Sequence, residues 1–244
     1  MKNQIVEIFN IPFTNMRKKE ILDALKERVN NEEKTYIVTA NAEIAMYAKE
    51  NNAYYNIIKN ADYIVPDGIG VVKGAKILKK EIYERVPGIE LMSDLLRIGN
   101  DQGQSVYFYG GKPEVIDKLI LNIKNDYPSI NIVGYSHGYN NDEDDSITNE
   151  IIKLRPDYIF VAKGAPLQDE WINKILPIID KGLLMGVGGS FDVFAGVVNR
   201  APEIWQKLNL EWFYRIAGDP KRWKRSLALP KFVIEVVKER VTKK

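Results

Sequence analysis

The carboxylate of greatest chemical interest is Asp67, which comes just after the apolar run Tyr63–Val65 and before a glycine. An aspartate in that position is expected at the rim of a sheet and not on a solvated helix face. Partial loss of hydration raises the pKa of a carboxyl group, so Asp67 is a candidate general base. From spacing alone, the alternative is that Asp67 caps a helix opened by Gly68-Ile69-Gly70.

Three further polar side chains stand where a ligand could be held. Thr39 and Asn41 end the run that starts at Tyr36 and could orient a substrate, although Asn41 could equally cap a helix beginning at Ala42. Arg85 lies in the loop Glu84-Arg85-Val86-Pro87-Gly88. Its planar guanidinium suits a diphosphate, although a solvated surface arginine is the commoner case.

Two strand-to-helix turns contain paired glycines that predict a nucleotide site. In Gly110-Gly111-Lys112-Pro113, glycines let backbone amides approach an anion at a helix N-terminus, which Pro113 can begin. In Gly188-Gly189-Ser190-Phe191-Asp192, the carboxylate of Asp192 could accept hydrogen bonds from ribose hydroxyls. The alternatives are an ordinary tight turn in the first case and a helix cap at Ser190 or Asp192 in the second. Neither run is a dinucleotide fingerprint or a Walker loop, so NAD and ATP are not supported.

Metal and thiol chemistry find little support in the composition. The chain has no Cys and one His, which excludes disulfides, thiolate catalysis and Cys-ligated zinc. The acidic run Asp142-Glu143-Asp144-Asp145 contains an Asp-x-Asp, but acids are also favoured before a helix for electrostatic reasons. His137 is interpreted as a surface or packing residue. We therefore expect no metal site and no cofactor.

The elements that must position these residues alternate between short β-rich runs and amphipathic stretches. The predicted strands are Ile5–Phe9, Tyr36–Thr39, Tyr63–Val65, Val106–Tyr109, Ile130–Tyr135, Tyr158–Ala162 and Leu183–Val187. The predicted helices are Asn15–Val29, Ala42–Lys59 with a break near Asn51, Ile69–Leu78, Ile89–Asn100, Glu114–Asn125, Ser146–Leu154 and Gln168–Leu176. Continuous apolar runs such as Tyr158–Ala162 are typical of parallel strands covered on both faces.

This alternation predicts an α/β fold: an open, mostly parallel, Rossmann-like sheet flanked by helices, with a basic helical C-terminal appendage. In such sheets ligands bind beyond the carboxyl ends of the strands. Polar turns, four of them with glycine, follow five of the predicted strands. We therefore expect these turns to converge on one rim and form a nucleotide-type site.

The C-terminal segment differs in charge from the rest of the chain. Residues 200–244 contain 12 Lys+Arg against 5 Asp+Glu, a net charge of +7, whereas residues 1–199 have a net charge of −5. Three of the four tryptophans also lie in this segment. We therefore divide the chain into an α/β body, 1–199, and a basic appendage, 200–244. Alternating basic and aromatic residues favour an interfacial helix on anionic lipid; nucleic-acid binding and packing on the body are the alternatives.

Nothing in the sequence predicts secretion or a membrane span. The first residues lack an apolar core of signal-peptide length, and no window approaches 18 uninterrupted apolar residues. The expected location is cytoplasmic.

Taken together, the motifs resemble those of the WecG/TagA/CpsF glycosyltransferase family (glycosyltransferase family 26) from about Ile5 to Arg225. One departure is that the family commonly has Gln-Glu after Gly-x-Pro, where this chain reads Gln168-Asp169-Glu170. The stretches that carry the resemblance are Thr39-Ala40-Asn41, Val65-Pro66-Asp67-Gly68-Ile69-Gly70, Glu84-Arg85-Val86-Pro87-Gly88, Gly164-Ala165-Pro166-Leu167-Gln168, Gly186-Val187-Gly188-Gly189-Ser190-Phe191-Asp192, Asn199-Arg200-Ala201-Pro202 and Leu210-Glu211-Trp212-Phe213-Tyr214-Arg215.

The resemblance implies a transferase of teichoic acid and cell wall biosynthesis. It would move N-acetylmannosamine from UDP-N-acetylmannosamine to undecaprenyl-diphosphate-linked N-acetylglucosamine, giving a β-1,4-linked disaccharide lipid with inversion and without a metal. The expected partners are this donor, this acceptor and the anionic surface of the inner face of the cell membrane. We also expect a homo-oligomer and no nucleic-acid partner. Another UDP-sugar donor (N-acetylmannosaminuronic acid or glucose) and a non-enzymatic nucleotide- or nucleic-acid-binding module remain the alternatives.

The resemblance also implies roles for individual residues. Asp67 would take the proton of the acceptor's 4-hydroxyl. The substrate pocket would contain Thr39, Asn41, Arg85 and Gln168. Diphosphate contacts would come from the appendage residues Arg215, Arg222 and Arg225. Our candidate nucleotide contacts are Gly110, Gly111, Gly188, Gly189, Phe191 and Asp192.

Overall fold

A six-stranded parallel sheet forms the centre of the computed structural model, which describes residues 5–139, 144–208, 211, 213–214 and 227–242. A two-stranded antiparallel hairpin precedes it. In chain order the described strands are β1 (Ile5–Ile8), β2 (Ile11–Thr14), β3 (Lys34–Ala40), β4 (Tyr63–Pro66), β5 (Ser105–Gly110), β6 (Asn131–Ser136), β7 (Tyr158–Ala162) and β8 (Gly182–Gly186). The order in the large sheet is β4-β3-β8-β7-β5-β6. The predicted α/β, parallel, Rossmann-like class is confirmed.

Helices cover both faces of this sheet, which explains the continuous apolar strands. In chain order the described helices are α1 (Lys18–Asn30), α2 (Ala42–Glu50), α3 (Asn52–Ile58), α4 (Ile69–Ile77), α5 (Gly88–Gln102), α6 (Pro113–Asp126), α7 (Asp144–Leu154), α8 (Leu167–Ile175), α9 (Ser190–Phe194), α10 (Glu203–Lys207) and α11 (Ala228–Thr242). One face packs against α2, α3, α4, α7, α8 and α11, and the other against α1, α5, α6 and α9. Each face has its own apolar core.

The short hairpin of β1 and β2 was only half predicted, because the sequence analysis found β1 and missed β2. The turn between them places Phe9 and Asn10 at positive φ, +54° and +63°, without a glycine to announce it. Two residues at positive φ match the twist of a tight hairpin. The Thr14 hydroxyl oxygen accepts a 3.1 Å hydrogen bond from the backbone N–H of Ile64. The hairpin therefore shields the outer edge of β4.

The chain changes sides of the sheet between two neighbouring strands. β3 and β8 are paired in parallel, but β3 leads into α2 on one face and β8 leads into α9 on the other. A crevice opens where adjacent parallel strands send their helices to opposite faces, and ligands of open α/β sheets bind there. The topology therefore selects the carboxyl end of β3 and β8 as the place to look for a site.

The last helix is packed into the body and is not a free arm. Phe232 and Val236 of α11 are fully buried. Gly74 of α4 makes room for this contact, because a β-carbon built there would lie 2.6 Å from the Phe232 ring. The division near residue 200 is thus a change of charge and not of packing, and separate functions for the two parts stay a prediction.

Candidate active site

A cleft of about 350 Å³ lies beyond the carboxyl ends of β3, β4, β7 and β8. Its walls contain apolar side chains of α2, α4 and α11. Several polar residues that follow the strand ends also line it. The predicted site residues that line it are Thr39, Asn41, Asp67, Arg85, Gln168, Gly188 and Gly189. Residues separated by 150 positions in the sequence are therefore brought to one rim, as the sheet topology requires.

Asp67 is fixed by its backbone at the end of the β3–β4 pair. Its N–H donates a 3.0 Å hydrogen bond to the carbonyl of Ala40, which extends the ladder by one residue beyond the last pair, Ala40 and Pro66. The N-cap of α4 is Gly68, at φ +115°, so the alternative reading of Asp67 as the helix cap is wrong. Its carboxylate instead lines the cleft and is partly exposed.

Thr39 lies near the end of β3, the strand next to Asp67, and Asn41 follows that strand directly. The Thr39 hydroxyl donates a 3.2 Å hydrogen bond to the carbonyl of Gly186, linking β3 to β8 at the cleft floor. Gly88 is close to it, because a β-carbon there would lie 3.0 Å from the Thr39 hydroxyl oxygen. Asn41 does cap α2, since its side-chain oxygen accepts from the N–H of Ile44 at 3.0 Å. Asn41 is also among the residues that line the cleft.

Arg85 is the only cation among the described residues that line the cleft. The loop that carries it is tied to β4, because the N–H of Val86 donates a 2.9 Å hydrogen bond to the carbonyl of Pro66. The guanidinium is only 19% exposed and forms a 2.8 Å ion pair with Glu211 of the appendage. Arg85 is therefore a held side chain at the site and not a solvated surface arginine.

Gln168 is buried in the first turn of α8 and still reaches the cleft. Its side-chain oxygen accepts a 3.1 Å hydrogen bond from the N–H of Gly188, and its amide packs directly over Gly186, where a β-carbon would overlap it. Gln168 therefore connects β7, β8 and α8 at the cleft wall.

The Gly188 turn contributes to the cleft, but its last two residues have other surroundings. Phe191 is 1% exposed and packs edge-on against Phe108 in the core, so any ligand contact from it would use its backbone. The N-cap of α9 is Gly189, so Ser190 and Asp192 lie in the first turn and neither caps the helix. Asp192 is partly exposed and is not among the described residues that line the cleft; its role as a ribose contact stays a prediction.

The Gly110 turn lies one strand further along the sheet. Gly110 has φ +125°, and a β-carbon on it would lie 2.5 Å from the backbone of Ala162, so this glycine permits close approach of β5 and β7. The N–H of Gly111 donates a 3.0 Å hydrogen bond to the carbonyl of Ala162. Neither glycine is among the described residues that line the cleft. Pro113 does begin α6, with Lys112 as N-cap.

The sequence analysis gave no role to Asp169, which the structure places in the core directly after Gln168. It is 1% exposed and accepts hydrogen bonds from the hydroxyls of Tyr36 at 2.9 Å and Tyr54 at 2.8 Å. Burial raises the pKa of the Asp169 carboxyl to about 6, against the lowering effect of the two hydroxyls. The same burial and the nearby carboxylate raise the pKa of both tyrosines. The change from Glu to Asp in the Gln168-Asp169-Glu170 motif was the one signal available.

Four long helices present their N-terminal turns to the cleft, namely α2, α4, α5 and α8. The aligned peptide dipoles of these helices favour an anion at this rim. Together with Arg85, the helix ends offer the electrostatic environment that a diphosphate requires. Carboxylates at the same cleft, Asp67 and Glu43, supply candidate proton acceptors.

Metal-binding clusters of three or more His, Asp or Glu do not occur in the part of the chain that the structure describes. In the acidic run, Asp142 and Glu143 lie outside the described residues, and Asp145 pairs with Lys174 at 2.8 Å, which lowers the pKa of its carboxyl. His137 is a partly buried residue whose ring accepts a hydrogen bond from Tyr139. The predicted diphosphate contacts Arg215, Arg222 and Arg225 also lie outside the described residues.

Comparison with known proteins decides the family. A sequence model of the Glycosyl transferase WecG/TagA/CpsF family matches residues 6–244. The chain belongs to this family. Because the match includes residues 200–244, the basic appendage is part of the family pattern and not an addition to it.

Related proteins of this glycosyltransferase family are similar over almost their whole length. A protein of Bacillus subtilis (strain 168) is 38% identical over 99% of this chain and 94% of its own. One of Staphylococcus aureus (strain MW2) is 40% identical over 96% of this chain and 92% of its own. Both are named N-acetylglucosaminyldiphosphoundecaprenol N-acetyl-beta-D-mannosaminyltransferase.

In the described residues of this family member, no helix is both long enough and apolar enough to cross a bilayer.

Proposed function

We propose that the chain transfers N-acetylmannosamine from UDP-N-acetylmannosamine to N-acetylglucosamine carried on undecaprenyl diphosphate. The product is the β-1,4-linked disaccharide lipid from which the wall teichoic acid linkage unit is built. The observation that carries this proposal is the cleft that joins Asp67, Thr39, Asn41, Arg85 and Gln168 at the switch point of the sheet. The names of the relatives supply the substrates.

The donor diphosphate lies against Arg85 and the helix N-termini in this proposal. Negative charge develops on the leaving UDP as the glycosidic bond breaks, and fixed cations and amides stabilise that charge best when they are preorganised. Gly188 and Gly189 bring backbone close to the ligand, and the UDP extends from them towards Gly110, Gly111, Phe191 and Asp192. Without a bound metal, this stabilisation comes from the protein alone.

Asp67 acts as the general base of a single displacement. The acceptor's 4-hydroxyl oxygen attacks the anomeric carbon, its proton passes to the Asp67 carboxylate, and the bond to the UDP oxygen breaks on the opposite side. Because the oxygen attacks the face opposite the departing UDP in one step, the anomeric configuration inverts and no covalent sugar–enzyme intermediate is required. Thr39, Asn41 and Gln168 orient the sugar in the cleft.

The appendage brings the lipid-linked acceptor to this cleft. Ala228 and Leu229, which begin α11, line the cleft, and the solvent side of α11 has an exposed apolar stripe of Val233, Ile234, Val237 and Val241. We propose that this stripe and the basic residues of 200–244 rest on the anionic inner face of the cell membrane. Arg215, Arg222 and Arg225 then contact the acceptor or donor diphosphate, while residues 1–199 hold the nucleotide.

We further propose a homo-oligomer and no nucleic-acid partner. A basic surface attracts any polyphosphate, but an apolar stripe beside it is of use on a lipid surface and of little use along a nucleic-acid backbone. Sedimentation velocity of the full chain gives its oligomeric state. If the chain binds RNA more tightly than anionic vesicles, the proposal that it has no nucleic-acid partner is wrong.

A donor panel tests the function. The chain is incubated with an undecaprenyl-diphosphate-linked N-acetylglucosamine acceptor and, in turn, UDP-N-acetylmannosamine, UDP-N-acetylmannosaminuronic acid and UDP-glucose, with a chelator present. We expect a disaccharide lipid with the first donor. Product with another donor alone would assign the chain to that sugar, and UDP binding without any transfer would favour the non-enzymatic alternative.

A further inference from the structure

Glu211 connects the appendage to the cleft through two arginines. One carboxylate oxygen accepts a 2.8 Å hydrogen bond from Arg85, and the other lies 3.4 Å from the Nε atom of Arg200. Glu211 is only 14% exposed and itself lines the cleft. A carboxylate that is nearly buried with an arginine on each oxygen is held in one orientation.

The same ion-pair chain continues into the body. Arg200 also forms a 2.7 Å ion pair with Glu90. Lys18 forms ion pairs with both Glu90 and Asp94, each at 3.2 Å. The charges alternate and sum to zero across the six residues. Arg200 and Lys18 hold the pKa of the Glu90 carboxyl below its ordinary value although burial opposes this. Glu211 thus connects Arg85 to a network anchored on α1 and α5.

Resting on the proposed function, we infer that Glu211 is a positioning residue for Arg85. Its carboxylate takes one terminal nitrogen of the guanidinium, which leaves Nε and the second terminal nitrogen to meet the donor diphosphate. Because Glu211 belongs to the appendage, one side chain of residues 200–244 orients the arginine of the diphosphate site.

The energetic reason is preorganisation. An arginine that must be immobilised when the ligand binds weakens that binding, and Glu211 removes this cost before the donor arrives. A carboxylate that served only to fasten the appendage would not need to contact a cleft residue. If Glu211 positions Arg85, the effect of substituting Glu211 disappears when Arg85 is absent. If Glu211 only fastens the appendage, that effect is the same with or without Arg85.

A double-mutant cycle on kcat/KM for the donor separates them. Glu211→Gln keeps the size and removes the charge, and we expect kcat/KM to fall about 3- to 10-fold, mainly through a higher KM. Arg85→Ala removes the diphosphate contact itself, and we expect kcat/KM to fall about 100-fold. Glu211→Gln added to Arg85→Ala is expected to change kcat/KM by no more than about twofold. Arg85→Lys repeats the cycle if the alanine variant does not fold, and Glu90→Gln removes the same charge while keeping the Arg85–Glu211 pair.

Losses that multiply in the double variant, or an equal loss in Glu90→Gln, would overturn the inference. The nitrogen resonances of the Arg85 guanidinium, assigned by their disappearance in Arg85→Lys, give a readout without turnover. We expect restricted rotation in the free protein and averaged signals in Glu211→Gln. Averaged signals in both would refute positioning. A chain that shows no transfer but retains this spectral difference would refute the proposed function alone.

Discussion

The Tyr54 hydroxyl donates a 2.8 Å hydrogen bond to the carboxylate of Asp169, in a core position that is 1% exposed. Tyr36 donates to the other carboxylate oxygen. The buried acid of α8 thus joins a tyrosine of β3 and a tyrosine of α3. This contact sets the first turn of α8 against the sheet and thereby the position of Gln168 in the cleft.

Asp169 makes the stability of the protein depend on pH. Its pKa is raised to about 6, so the folded state binds this proton more tightly than the unfolded chain, where a carboxyl of this type titrates near about 3.9. The resulting stabilisation is present below about pH 4 and is lost as the pH rises through 6. We expect the free energy of unfolding of the wild type, relative to Asp169→Asn, to fall by about 3 kcal/mol between pH 4 and pH 7.

Denaturant unfolding of the two proteins across this range measures the difference, in which the contributions of other titrating groups cancel. The isosteric Asn keeps hydrogen bonds to both tyrosines. A difference that stays constant with pH, or that grows as the pH rises, would show that Asp169 is ionised throughout.

Gly186 leaves the space that the Gln168 amide occupies. In Gly186→Ala the new methyl group displaces that amide and breaks its hydrogen bond to the N–H of Gly188. We expect the affinity for UDP-N-acetylmannosamine to fall about 5- to 10-fold, the loss of one or two hydrogen bonds, and to the same extent as in Gln168→Ala. Titration calorimetry measures it, with Gly99→Ala, which crowds Tyr158 in the opposite core, as a control for overpacking. Unchanged affinity in Gly186→Ala would remove Gln168 from the binding site.

Phe232 anchors the appendage to the body. It is fully buried against α4, so Phe232→Ala is expected to lower the free energy of unfolding by about 3–5 kcal/mol. The neighbouring Val233, 39% exposed, is the control, and Val233→Ala should cost less than about 0.5 kcal/mol. Equal, small effects in denaturant titrations would mean that α11 is not part of the core. For the same reason, point substitutions test the appendage better than truncation at residue 199, which would open this core.

The exposed stripe on α11 is expected to bind lipid. Ile234→Glu combined with Val237→Glu removes apolar contact area from two exposed positions, so the fold is kept while binding to anionic vesicles should fall about 10-fold or more. Co-sedimentation with vesicles measures it. The same change on the body, Leu121→Glu with Ile152→Glu, should leave binding intact. If both pairs weaken binding equally, net charge and not the stripe determines membrane association.

The sequence predicted the parallel sheet because the strands are continuous apolar runs and the helices have a regular period. Because parallel strands carry their C-terminal turns to one rim, it also predicted that the turns holding Asn41 and Asp67 would meet, whereas the place of Arg85 and Gln168 in the pocket was implied by the family resemblance. The β2 strand was missed because the Phe9-Asn10 turn reaches positive φ without glycine. The roles of Asp169 and Glu211 were not predictable from spacing, because both depend on contacts between residues more than 100 positions apart.

The glycine pairs show the limit of motif reasoning most clearly. Gly188 and Gly110 stand in similar strand-to-helix turns, yet the structure places the first at the cleft and uses the second to let β5 and β7 approach. The sequence of a turn indicates only which backbone conformations are possible there. Only the strand order determines which turn lies at the switch point.

The central claim is that Asp67 is the base of a sugar transfer, and Asp67→Asn tests it most directly. Asn has nearly the same shape and cannot accept the proton, so transfer from UDP-N-acetylmannosamine to the lipid-linked acceptor should slow by about 10²- to 10⁴-fold. UDP affinity, measured on the same preparation by calorimetry, should stay within about twofold of the wild type, because the backbone contact that fixes this residue is unchanged. Normal UDP binding together with near wild-type turnover in Asp67→Asn would contradict the account.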